Sequence, residues 1–261
     1  MSRLGRLSLI AGACFTAPLL FAALLRTGGD AAALETVPPS AEPRQGFAVP
    51  AAESVSDFRT AVWAPMTRAV WSRRSPKPDA PQLVRVRLRT PEDTTNLVQI
   101  LDHKRHEASG RVWLKVRLTS LPNGQIGWIP RNAVGGQQSV ETKLLVDTKK
   151  FSAELIVGGR AVLKVPVGVG QAISPTPLGE FYVRNKLTRY RSPFYGPLAF
   201  GTSARSNTLT DWPAGGHIGI HGTNRPDLIP GRISHGCIRL RNPDLVRLGE
   251  LMPIGTPLEI Q

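Results

Sequence analysis

From Gln82 to the C-terminus, apolar residues recur at every second position over short runs, and this period restricts the chain to a mainly β fold. Val84, Val86 and Leu88 alternate with arginines, Leu97 to Leu101 is a short apolar run, and Trp113, Val116 and Leu118 precede an Asn123-Gly124 turn. After Thr142 the pattern resumes in Leu144 to Val146, and in Ala153 to Val157 and Ala161 to Val165 around Gly158-Gly159. Gly179 to Val183 follows a Pro-rich bend, His217 to His221 is another alternating segment, and Thr256 to Ile260 closes the chain. One helix is expected in this part, with Asn242 as N-cap, Pro243 at the first position, Leu245, Leu248, Leu251 and Met252 inward, and Pro253 as the stop. The expected folded parts are therefore a small β module over residues 82–138 and a β-rich domain over 142–261.

Upstream the composition changes. Arg3 and Arg6 precede an apolar run from Leu7 to Leu25, followed by Arg26, a Gly-Gly-Asp turn and Ala31 to Ala33, the layout of an export signal. About 20 apolar residues span a bilayer, so residues 1–33 are expected to be a cleaved signal peptide or a retained membrane anchor. Either places the protein in the periplasm or cell wall. Residues 34–81, rich in Pro, Ala, Ser and Arg, are expected to be a mostly extended linker. Within them Phe58, Val62, Trp63, Met66 and Val70 have the spacing of a short amphipathic helix running to Trp71. The formal charge of +14 favours an acidic partner, whether nucleic acid, membrane surface or wall polymer. Export and the lack of an aromatic-basic platform argue against nucleic acid.

The chain has two cysteines, and Cys14 lies inside the apolar run as a small hydrophobe. Removal of the signal leaves Cys237 as a lone thiol in an oxidising compartment, which points to intermolecular pairing or a reactive function. In "HIGIHGT" Ile218 and Ile220 share one face of a strand, which turns His217, Gly219 and His221 to the other. In "SHGCIRL" the same alternation, if extended, puts His235, Cys237 and Arg239 on one face and Ser234, Ile238 and Leu240 off it. Gly236 permits the unusual backbone angle and close approach of an exposed nucleophile on a bend, and Gly222 permits a sharp turn after His221. An imidazole that takes the thiol proton, with Arg239 adding positive field, is expected to raise the thiolate fraction of Cys237.

The pair "IHGT" and "SHGCIRL" closely resembles the signature of the L,D-transpeptidase family, also called the YkuD domain. The resemblance extends back through "VGVGQAISPTPLGEFYV" and covers about Thr142 to Gln261. It implies a β-sandwich-like catalytic domain, a nucleophile matching Cys237 and a general base matching His221, oriented by the carbonyl of Gly222. It also implies that Ser234, His235 and Gly236 flank the nucleophile and shape the oxyanion hole, and that Arg239 lies near the substrate carboxylate. The implied substrates are peptidoglycan stem peptides: Cys237 takes the acyl group, D-alanine leaves, and a second stem's amine accepts the acyl group. Water as acceptor would make the same site an L,D-carboxypeptidase. The stretch "VWLKVRLTSLPNGQIGWIP" resembles the closing strands of a bacterial SH3-like barrel, with a strand extension of the catalytic domain as the alternative.

Two other readings stay open on the residues alone. His217, His221, His235 and Cys237 could supply four zinc ligands, although a metal-bound thiolate would leave Arg239 and the glycines without a role. A non-enzymatic wall-binding protein would use the positive charge and have no need of Cys237. The expectation is an enzyme with no cofactor, with His217 a cleft-lining or surface residue and Asp227 a solvated loop residue.

Overall fold

The computed structural model describes residues 60–188, 193–209 and 216–261, all within the compact unit Gln45–Gln261. The expected signal or anchor over 1–33, most of the expected linker, and Phe58 lie outside the described residues. No helix among the described residues is long and apolar enough to cross a membrane.

The first lobe comprises β1 (Ala61–Pro65), β2 (Val70–Arg73), β3 (Gln82–Val86), β4 (Leu97–Arg105), β5 (Val112–Arg117), β6 (Ile126–Pro130) and β7 (Gln138–Val140). They form one sheet in the order β3-β2-β6-β5-β4-β1-β7. Two expectations are corrected. The linker ends before Ala61, because β1 and β2 are members of this sheet, and the stretch from Val62 to Trp71 forms strands instead of a helix. Pro65 interrupts any helix there, while Val62, Trp63, Val70 and Trp71 are residue types that fit a pleated, half-buried surface. The SH3-like stretch corresponds to β5 and β6, whereas the lobe as a whole is a seven-stranded sheet with β3 and β7 at its edges. Its own core contains Ala64, Met66, Leu114, Val116 and Ile129.

The second lobe continues with β8 (Thr142–Asp147), β9 (Ser152–Val157), β10 (Arg160–Pro166), β11 (Gly168–Gly170), β12 (Gly179–Leu187) and β13 (Ala199–Arg205). After these come β14 (His217–His221), β15 (Gly231–Ser234), β16 (Ile238–Arg239), the helix α1 (Asn242–Leu251) and β17 (Pro257–Ile260). The order is β10-β9-β8-β17-β12-β13-β14-β16-β11-β15. β12 changes partners midway: Gly179 to Tyr182 pair with β17, and Val183 to Leu187 pair with β13. Side chains from both halves, among them Leu144, Leu155, Phe181, Phe200, Ile218, Ile220 and Ile238, meet in one buried core. Burying such side chains stabilises by about 1.5–3 kcal/mol each, before chain entropy is set against it.

α1 packs Leu245 and Leu248 into this core, as its apolar spacing predicts. The cap differs from expectation. Arg241 is the N-cap, with no side-chain capping bond, and Asn242 is already helical, as a chain entering at Pro243 allows. The Oδ1 of Asn242 instead accepts from the N–H of Thr223 at 3.0 Å, tying the helix to the turn that follows His221.

The lobes meet along β12 through polar contacts. The Tyr182 hydroxyl donates to Leu97 O at 3.1 Å and lies 3.1 Å from Thr119 Oγ1. Arg184, whose side chain is 2% exposed, pairs with Glu92 at 3.3 Å, and Asn185 donates to the same carboxylate at 3.1 Å. Arg117 donates to Glu180 at 2.7 Å. Trp63 lies close over Gly255, where an added Cβ would come within 2.1 Å of its ring.

Candidate active site

β14 lies between β13 and β16, and its parallel register with β16 sets Ile220 opposite Ile238 and His221 opposite Arg239. One step back along both strands, Cys237 falls beside Gly219, whose N–H donates to Sγ at 3.4 Å. Ile218 and Ile220 are buried in the core, so the other face of β14 presents His217, Gly219 and His221. A Cβ built on Gly219 would lie 3.8 Å from Cδ2 of His221 and 3.9 Å from Sγ of Cys237. The side chains of Cys237 and His221 therefore both lie against one glycine.

Alternation in "SHGCIRL" holds from Cys237 to Leu240, with Ile238 and Leu240 buried and Cys237 and Arg239 half-buried. It breaks at His235-Gly236, where the chain bends and Gly236 has φ +115°. A β-carbon at Gly236 would sit 2.9 Å from Ile218 Cδ1, so both conformation and space require glycine. His235 is exposed and lines the same pocket as Cys237, but not by strand alternation.

Hydroxyl groups hold this bend in place. Ser234 Oγ donates to Cys237 O at 2.6 Å and accepts from Gly236 N at 3.1 Å. Ser174 Oγ donates to His235 O at 2.9 Å, and Thr176 Oγ1 donates to Gly236 O at 2.8 Å while accepting from Gly170 N at 2.8 Å. Ser174, Thr176, Asn242 and Tyr195 were not among the sequence-derived site residues. The Thr-Pro pair at Thr176 was the signal available for one of them; carbonyl contacts across some 60 residues carry no local pattern.

His221 is 3% exposed, its Nδ1 is 2.7 Å from Gly222 O, and its ring lies 4.6 Å from that of Tyr195 at 51°. A carbonyl only accepts, so Nδ1 carries the proton and Nε2 is the basic nitrogen. Burial lowers the His221 pKa to about 4; the Gly222 carbonyl opposes the shift and Arg239 adds to it. Burial pushes the Cys237 thiol upward, against smaller lowering effects from the Gly219 N–H and Arg239. This corrects the expectation of an enriched thiolate. The positive field of Arg239 is present, but desolvation outweighs it, and the resting pair is a neutral thiol beside a neutral imidazole.

The pocket around these groups has a volume of about 320 Å³ and is walled by Phe194, Tyr195, Leu209, His217, His235 and Arg239. Arg239 has no carboxylate partner among the described residues, and its Nε is buried without a hydrogen bond. His217 also lines the pocket, its pKa lowered to about 3 by burial, then by Arg184 and Arg205. Asp227 is exposed and paired with Arg225 at 2.9 Å, away from the pocket walls. Among the described residues, no three His, Cys, Asp or Glu side chains converge as metal ligands would.

Comparison with known proteins gives a consistent relationship. Residues 141–260 match the family model described as the YkuD L,D-transpeptidase catalytic domain. A Bacillus licheniformis family member, YkuD, is 30% identical over 141 residues, covering 48% of this chain and 78% of that protein. The Bacillus subtilis (strain 168) YkuD is 35% identical over 106 residues, covering 41% of this chain and 57% of the relative. Among solved structures, the catalytic domain of the Enterococcus faecium L,D-transpeptidase is 25% identical, with a TM-score of 0.36, covering 46% of this chain and 96% of that one.

Proposed function

The chain belongs to the L,D-transpeptidase family, and from that premise we propose that it forms cross-links between peptidoglycan stem peptides through a thioester on Cys237. The observation that carries the reading is the shared placement of Cys237 and His221 around Gly219, with the proton of His221 held on Nδ1 by Gly222 O. Nε2 takes the thiol proton as Sγ attacks the carbonyl preceding a terminal D-alanine. Gly236 N–H is already committed to Ser234 Oγ, so the oxyanion is assigned to donors on either side of it, chiefly the N–H of Cys237. D-Alanine leaves with the proton returned by His221. The amine of a second stem then attacks the thioester; its nitrogen–carbon bond forms, the carbon–sulfur bond breaks, and the amine proton passes through His221 to Sγ.

Because resting Cys237 and His221 are both neutral, proton transfer accompanies attack instead of preceding it. Arg239, without a carboxylate partner among the described residues, suits a substrate carboxylate. Export to the periplasm or wall, through the Arg-flanked N-terminal segment, is part of this proposal, as is attraction of the net positive chain to anionic wall polymers.

The test is intact mass of the full chain and its Cys237→Ala variant after incubation with tetrapeptide stems. Loss of D-alanine with a cross-linked product, absent in the variant, is expected. Hydrolysed stems alone would make the enzyme an L,D-carboxypeptidase. Unchanged stems with a folded protein would refute the enzymatic reading in favour of a wall-binding role.

A further inference from the structure

A second cavity, of about 520 Å³, lies between the first lobe and the β12 to β14 strands of the second. His217 lines both this cavity and the pocket of Cys237. Six arginines line the second cavity, and no Asp or Glu among the described residues does. Three of them are paired with carboxylates outside the lining: Arg89 with Asp93, Arg117 with Glu180 and Arg184 with Glu92. Arg85 and Arg87 have no such partner among the described residues. Arg85 lies in the edge strand β3 and Arg87 directly follows its last residue, Val86, which puts them roughly 7 Å apart along the chain. Two carboxylates of one short peptide can span that distance.

A peptide offers carboxylates for these arginines and a free amine for the thioester, whereas a phosphate polymer offers only the anionic groups. Position supplies the remaining constraint: His217 is two residues, about 7 Å, from the Gly219 amide that touches Sγ.

We propose that this cleft is the acyl-acceptor site: it binds a peptide bearing two carboxylates on Arg85 and Arg87 and leads its free amine past His217 to the thioester. The inference rests on the transpeptidase reading above and gives its second half-reaction a place. The positive wall has a chemical use as well as a binding one. It disfavours an ammonium and so favours the neutral amine, the form that can attack.

The experiment uses the full chain with Arg85→Ala and Arg87→Ala combined, both exposed positions. Acylation of Cys237 by a tetrapeptide donor is followed by intact mass, and cross-linking is followed against the concentration of a stem tripeptide as acceptor. Acylation at the parent rate, with acceptor KM raised about tenfold or more and partial recovery in the double lysine variant, is the expected result. An unchanged acceptor KM, or donor acylation slowed in parallel, overturns the assignment. Binding of the tripeptide to the Cys237→Ala chain, with and without the two arginines, separates the levels of failure. A parent protein that is acylated but binds tripeptide independently of these arginines refutes the cleft alone, and one never acylated refutes the transpeptidase reading together with it. Tighter arginine-dependent binding of inorganic polyphosphate than of the tripeptide also overturns the peptide assignment.

Discussion

Alkylation of Cys237 across pH distinguishes a neutral catalytic pair from a preformed thiolate–imidazolium pair. Burial raises the thiol above its ordinary range and lowers His221 to about 4. An ordinary thiol near 8.5 is about 3% thiolate at pH 7, so Cys237 should be less ionised than that. A preformed ion pair would instead be almost fully thiolate from about pH 5 to 8. The second-order rate of reaction with iodoacetamide, mapped to the Cys237 peptide to separate it from Cys14, should therefore rise about tenfold per pH unit from pH 6 to 8. His221→Ala removes no resting positive charge, so alkylation at pH 7 should change by less than about threefold. The same variant should slow acylation by a stem peptide by about 10²–10⁴, the usual contribution of a positioned base. A flat alkylation profile between pH 5 and 8, lost in His221→Ala, would refute the neutral-pair argument.

The histidines also predict a stability profile. Unfolded histidine binds a proton below about 6.5, while His221 waits until about 4 and His217 until about 3, so the unfolded chain holds more protons between these values and stability is lost as the pH is lowered through them. The share from His221 is on the order of 3 kcal/mol by pH 4, and a urea midpoint constant from pH 7 to 4.5 would contradict it. Glu92→Gln leaves buried Arg184 without its counter-charge and should cost about 3 kcal/mol, or about 6–12 °C in Tm; a loss below about 1 kcal/mol would show that the pair is not what joins the lobes. Gly236→Ala combines φ +115° with a 2.9 Å approach to Ile218, and should lower Cys237 acylation at least tenfold while costing about 1–3 kcal/mol in denaturant stability. Wild-type acylation in that variant would mean that the bend does not aim the nucleophile.

Legibility in the sequence followed the range of each interaction. Cys237, His221 and the flanking glycines stood out because the chemistry needs particular residue types close together in the chain, and Ile218 and Ile220 reported the face of β14 by alternation alone. The strands with buried apolar alternation were legible for the same reason. β11 and β16, three and two residues long, are too short for any period to register, and β13 is "AFGTSAR", whose small buried residues give no polar–apolar contrast. β1 and β2 were obscured because Val62, Met66 and Val70 also fit helical spacing, and only Pro65 argued otherwise. The clamps by Ser174 and Thr176, and the pairing of Arg184 with Glu92, join segments far apart in the chain and leave no trace in local pattern. The rise in the Cys237 pKa was missed because desolvation is a property of the packed core around it.

The pairing of β14 with β16 divides the molecule's duties in a way that matters for its diversification. The spacing between β14, which carries His221, and β16, which directly follows Cys237, is a backbone lattice constant of about 4.8 Å, maintained by ladder bonds and not by side-chain choice. The segments rimming the pocket, around Phe194 and Leu209, contribute walls but no part of that lattice. Substitutions and insertions there can retune which ligands are admitted without altering the spacing of Cys237 and His221, so ligand range and site geometry are free to change independently.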